Sequence, residues 1–100
     1  MKAIDRLIQD LGAKYYKPIN FKHGATGFKL RRKGYAIYFD SVSPLVTNIY
    51  ERITIEPCEY SNGDKWIIYG PMIRQYINGL MYAKNLSEAR KKILTLIGIK

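Results

Sequence analysis

Two helical stripes bracket this chain and leave its middle to form a sheet. At the front, Ile4, Leu7, Ile8 and Leu11 recur at i, i+3, i+4 and i+7, the spacing of one helix face, while Lys2, Asp5, Arg6 and Gln9 fall opposite. Gly12 supplies a left-handed stop, so the spacing predicts a first helix over about residues 2–11. At the back, Leu86, Ala89, Ile93, Leu96 and Ile97 share a face, and Gly98 ends the run. Asn85 and Glu88 stand as the N-cap and N3 partners of a capping box. Lys91 points away from the apolar face, and Arg90 and Lys92 flank it. Two one-sided helices need an apolar sheet face to cover. The expected fold class is therefore α+β: an N-terminal helix, an antiparallel sheet of three to five strands and a C-terminal helix, packed as a two-layer sandwich in a single domain spanning 1–100.

Between the helices, residues 13–25 read as a connector punctuated by Pro18 and Gly24. Thr26–Arg32 and Tyr35–Asp40 read as the two strands of a hairpin turning at Lys33-Gly34. In that register Phe28, Leu30, Ile37 and Phe39 share one face, and Lys29, Arg31, Ala36 and Tyr38 the other. Pro44 makes Ser41–Thr47 a loop, Asn48–Glu56 a strand with Ile53 and Ile55 inward, Ser61-Asn62-Gly63-Asp64 a turn, and Lys65–Tyr69 a further strand. Residues 70–84 admit two readings. One is a short helix from Pro71 through Leu80, and the other a hairpin joining Ile73–Ile77 to Leu80–Ala83 at Asn78-Gly79. The hairpin is preferred, because Asn-Gly is a poor helix-interior pair.

Charge decides which partners are worth considering. Seventeen Lys and Arg against eight Asp and Glu give +9, and the excess is uneven: residues 1–34 carry +7, 35–69 carry −3 and 70–100 carry +5. Two basic ends around an acidic middle favour polyanions or an acidic protein face. One cysteine, Cys58, forms no disulfide framework, so a reducing compartment fits. Asp5 and Asp10 interrupt the apolar stretch that a secretory leader needs, and no run approaches the ~18 apolar residues of a membrane span. The expectation is a cytosolic protein that does not engage membranes.

Catalytic and metal chemistry find little to work with. One His and one Cys do not make a zinc site. Asp40, Glu51 and Glu56 converge on a divalent ion only if neighbouring strands align them. Cys58 follows Pro57 with no base beside it in sequence, which reads as a structural thiol, and Gly24-Ala25-Thr26-Gly27 opens a strand rather than the helix of a phosphate loop. No cofactor is expected. His23 is the one side chain whose ordinary titration lies near neutrality. The order short helix, His-containing loop, Phe-bearing strand is similar to HicA-type toxin ribonucleases over about 40 residues, although here Gly24 follows His23 rather than preceding it. That resemblance implies a small metal-independent ribonuclease with His23 moving a proton.

The remaining cluster is basic and aromatic. Lys22, Lys29, Arg31, Arg32 and Lys33 lie within twelve residues, with Tyr35 and Tyr38 beside them. Cations hold phosphates and rings stack on unpaired bases. The expected function is non-enzymatic: binding of RNA or DNA through Lys22, Lys29, Arg31, Arg32, Lys33, Tyr38 and, from the last helix, Lys91. With about 4–6 phosphates neutralised, the log-log salt slope on duplex DNA is about −4 to −5. The helix–strands–helix order resembles that of double-stranded-RNA-binding domains, but none of their motifs maps onto these residues. The size and the lysine, isoleucine and tyrosine richness resemble small accessory proteins of phages and other mobile elements. That likeness implies the competing reading, a module that binds and inhibits or redirects a host or defence protein. A homodimer is a further expectation, through an exposed strand such as Asn48–Glu56 or through the tyrosine-rich 60–82 region.

Overall fold

A computed structural model describes residues 2–24, 27–39, 52–74 and 76–97. The element order is α1 (Ala3–Leu11), β1 (Tyr15–Ile19), β2 (Gly34–Tyr38), β3 (Arg52–Pro57), β4 (Trp66–Tyr69), α2 (Pro71–Arg74), β5 (Met81–Ala83) and α3 (Leu86–Ile97). The five strands form one antiparallel sheet in the order β1-β2-β3-β4-β5. This is the α+β fold expected, with α1 and α3 packed together on one side of the sheet.

Both terminal helices form for the reasons their spacing gives. Ile4, Leu7 and Leu11 of α1 are buried, and Gly12 closes the helix at φ 71 while the N–H of Ala13 donates to the Ile8 carbonyl at 3.1 Å. In α3, Ala89 and Ile93 are buried, and the Asn85 side chain accepts from the Glu88 N–H at 2.8 Å. Glu88 reaches back to the N–H of Lys84 rather than that of Asn85, at 3.4 Å, and its carboxylate also meets Lys92 Nζ at 3.3 Å. Asp10 and Arg90 pair at 2.9 Å and tie α1 to α3.

The bond from Lys92, with help from the Lys84 N–H and the charges of both lysines, holds the Glu88 carboxyl below its ordinary 4.5. A depressed carboxyl stabilises the fold above its unfolded value, and that stabilisation is lost as pH falls through the folded value. Glu88→Gln is therefore expected to flatten the decline of the urea midpoint below about pH 4.5. An unchanged acid limb in the variant removes Glu88 from the acid sensitivity of α3.

Alternation across the ladders sorts the strands into two faces. Ile37, Ile53, Ile55, Trp66, Ile68 and Ala83 face the helices and join Ile4, Leu7, Leu11, Ala89 and Ile93 in the core. Tyr15, Lys17, Ala36, Tyr38, Arg52, Thr54, Glu56, Ile67, Tyr69 and Tyr82 take the opposite face.

Three expectations from the sequence need correction. Residues 13–25 are not merely a connector, because they contain β1. Its Tyr15-Tyr16 pair suits a strand, and Pro18 is tolerated because β1 lies at the sheet edge. The 26–40 hairpin does not form, and Thr26 and Asp40 lie outside the described residues. β2 pairs instead with β1 and β3, so Gly34 opposes Ile19 inside a ladder. Gly34 is needed for space rather than for a left-handed turn: a Cβ there would lie 2.6 Å from the Ile55 carbonyl oxygen and would meet the ring of Phe21. In 70–84, the four-residue helix Pro71–Arg74 replaces the first arm of the preferred hairpin. Pro71 opens it, Ile73 anchors it in the core, and Met81–Ala83 pairs with β4.

β3 is the central strand, flanked by β2 and β4, so a dimer through an exposed Asn48–Glu56 edge is excluded for residues 52–56. The Ser41–Thr47 loop, residues 48–51 and Gly98 lie outside the described residues. Ile53 and Ile55 are fully buried, as their alternation requires. No described helix is long and apolar enough to cross a membrane.

Candidate nucleic-acid interface

The chain leaves β1 at Asn20 and returns to β2 at Gly34, and this excursion carries most of the predicted site. It is fastened to the sheet end at three points. The Arg32 guanidinium donates from Nη2 to the Cys58 carbonyl at 2.8 Å and to the Lys65 carbonyl, and lies 4.9 Å from the centroid of Trp66. Phe21 rests where a side chain at 34 would stand. Gly24 fits against the Pro57 carbonyl and Leu30, where a Cβ would approach to 2.9 and 2.8 Å. Beyond these anchors a small ribbon forms: His23 bridges Lys29, the Gly24 N–H donates to Phe28 O at 3.0 Å, and Gly27 takes φ 82.

The predicted residues separate into three groups. Lys22, Lys29, Arg31 and Lys33 are exposed on the excursion, and none forms a salt bridge among the described residues. Arg32 is half-buried, and its two carbonyls and its indole use it as a fastening rather than as a phosphate ligand. Tyr38 and Lys91 lie elsewhere. Tyr38 ends β2, stacked on Tyr15 at 4.7 Å with Lys17 Nζ 5.9 Å from its ring centroid, so it does not share a ribbon face with Lys29 and Arg31. Lys91 borders a largely apolar groove with Ile77, Met81, Lys92, Thr95 and Leu96, on the side of α3 next to β5, the edge opposite β1.

Sequence reasoning missed Lys17, Lys65 and Lys84. The antiparallel order brings the 20–33 excursion, the 58–65 turn and the end of β5 to one end of the sheet, where Lys65 and Lys84 add two exposed cations. Glu59 and Asp64 are the acids of that turn, and Asp64 is bound up with Asn62. Lys17 was hidden because β1 was not recognised as a strand. Its i, i+2 relation to Tyr15 is the signal that finds it.

The reactive side chains are placed as follows. Cys58 is fully buried, its thiol within 3.7 Å of the Asp64 carbonyl, and burial pushes its pKa up despite the nearby Arg32 charge. His23 is exposed and pairs through its backbone with Lys29. No three His, Cys, Asp or Glu side chains among the described residues gather as metal ligands, and Asp40 and Glu51 lie outside them. A cleft of about 420 Å³ between α1 and α3 contains Arg6, Asp10, Ser87 and Arg90, but Arg90 is already paired with Asp10. Comparison with protein-family models, curated proteins and solved structures found no match to this chain.

Proposed function

We propose that this protein binds nucleic acid through the β1–β2 excursion, with Lys22, Lys29, Arg31 and Lys33 on phosphates. One observation carries the reading: residues 20–33 hold five cations and no acid, and the four not engaged in holding the loop are exposed. A loop tied down at its base presents those charges with less ordering entropy to lose on binding. Lys65 and Lys84 extend the positive field across the same end of the sheet. The single buried thiol agrees with a cytosolic setting.

The test is a salt titration of fluorescent oligonucleotide binding by anisotropy. Replacing Lys22, Lys29, Arg31 and Lys33 together by alanine removes four phosphate contacts, and the log-log salt slope is expected to become shallower by about 3 on an unpaired strand. All four side chains are exposed, so the variant keeps its circular dichroism spectrum. Absence of binding by the unmodified protein at roughly 50 mM salt overturns the proposal, all the more so if a stoichiometric acidic protein partner survives nuclease treatment in a pull-down.

A further inference from the structure

Resting on that reading, we infer that the ligand is an unpaired RNA or DNA strand and that Phe28 is the ring on which one of its bases stacks. Phe28 is 59% exposed, more than Tyr76 or Leu80 at 49% and Tyr82 at 36%. It is adjacent in sequence to Lys29, and across the ribbon its backbone meets Gly24, two residues after Lys22. Its backbone is held by the Gly24–Phe28 hydrogen bond and the His23–Lys29 bridge. The backbone that carries the ring is thus tied across the ribbon at two points.

Among the described residues the paired rings are Tyr15–Tyr38, Tyr16–Tyr35, Tyr35–Trp66 and Tyr60–Tyr82, and Phe28 stacks on none of them. An exposed phenyl on an excursion that also exposes Lys22, Lys29, Arg31 and Lys33 matches what an unpaired nucleotide offers, a free base face on a charged backbone. A duplex keeps its base faces stacked inside and offers mainly phosphates.

The experiment compares a uridine oligonucleotide, a thymidine oligonucleotide of equal length and a duplex of the same length, each over the same series of salt concentrations. Unpaired strands are expected to bind more tightly than the duplex, and the two unpaired arms distinguish RNA from DNA as the source. Phe28→Ala is expected to weaken unpaired-strand binding by about five- to a hundredfold, the loss of one base–aromatic stack, with the salt slope unchanged. Phe28→Tyr keeps the stack and the affinity. Phe28→Leu keeps the apolar bulk but not the ring, and is expected to behave as alanine. Equal binding by Phe28→Ala overturns the inference. So does duplex binding as tight as single-strand binding and equally dependent on Phe28, since that marks a wedge between base pairs. The four-cation variant separates the two levels. If it loses binding while Phe28→Ala does not, only the stacking role fails. If it binds normally, the reading beneath fails as well.

Discussion

Arg32→Ala is expected to destabilise the protein by about 2–4 kcal/mol, although arginine is a surface residue by type and the six other cations at this end of the sheet are exposed. The guanidinium bridges the carbonyls of Cys58 and Lys65, one just after β3 and the other just before β4, while lying over Trp66. Its removal strips a charged donor from both carbonyls and uncovers the indole. Lysine does not replace it, because a point charge on a flexible stem cannot hold two carbonyls and lie flat on a ring at once. Urea denaturation measures the loss. Trp66 is the only tryptophan, so its emission reports directly on the uncovered ring. Single alanine substitutions at Lys22, Lys29, Arg31 or Lys33 stay within about 0.5 kcal/mol of the parent. If Arg32→Ala also stays there, the excursion is held by Phe21 and Gly24 alone.

Ile55→Ala is expected to cost about 2–5 kcal/mol, a large part of the roughly 5–15 kcal/mol that stabilises a domain. Ile55 is fully buried in the central strand, with Tyr35 opposite on one side and Ile68 on the other, beneath the helix layer. Truncation leaves a void that a strand hydrogen-bonded on both sides is poorly able to close. Ile55→Val removes one methylene and is expected to cost about 0.5–1.5 kcal/mol. The ratio of the two, read from denaturant midpoints at constant slope, distinguishes a cavity from a general loosening. A cost below about 1 kcal/mol for Ile55→Ala is incompatible with helices seated on β3.

The outer layer of the fold was legible because its signals are local. The α1 stripe ends at a glycine that is in fact left-handed, and Asn85 does cap α3. The inner pairing was less legible because ladders are non-local. Lys33-Gly34 resembles a hairpin turn in isolation, and only the presence of Phe21 and the Ile55 carbonyl explains why glycine is needed there. Of the two readings that 70–84 admits, Asn78-Gly79 favours the hairpin, yet those residues simply lie between α2 and β5. For the candidate site, charge and exposure were foreseen for Lys22, Lys29, Arg31 and Lys33. The internal use of Arg32 was not, because nothing in its flanking residues announces carbonyls 26 and 33 positions away. Tyr38 stands apart from Lys29 and Arg31 because β2 pairs with β1 rather than with 26–32, and Lys91, exposed on α3 as its spacing requires, lies toward β5 rather than beside the excursion.

One lysine has a consequence at the scale of many molecules. Lys92 Nζ donates to the Tyr82 carbonyl at 2.6 Å, on the last strand of the sheet, and Pro18 withholds an amide hydrogen from the first. Each border is thus interrupted within its own short length. Among the described residues, both borders of the sheet thus discourage crowded copies from annexing one another's strands.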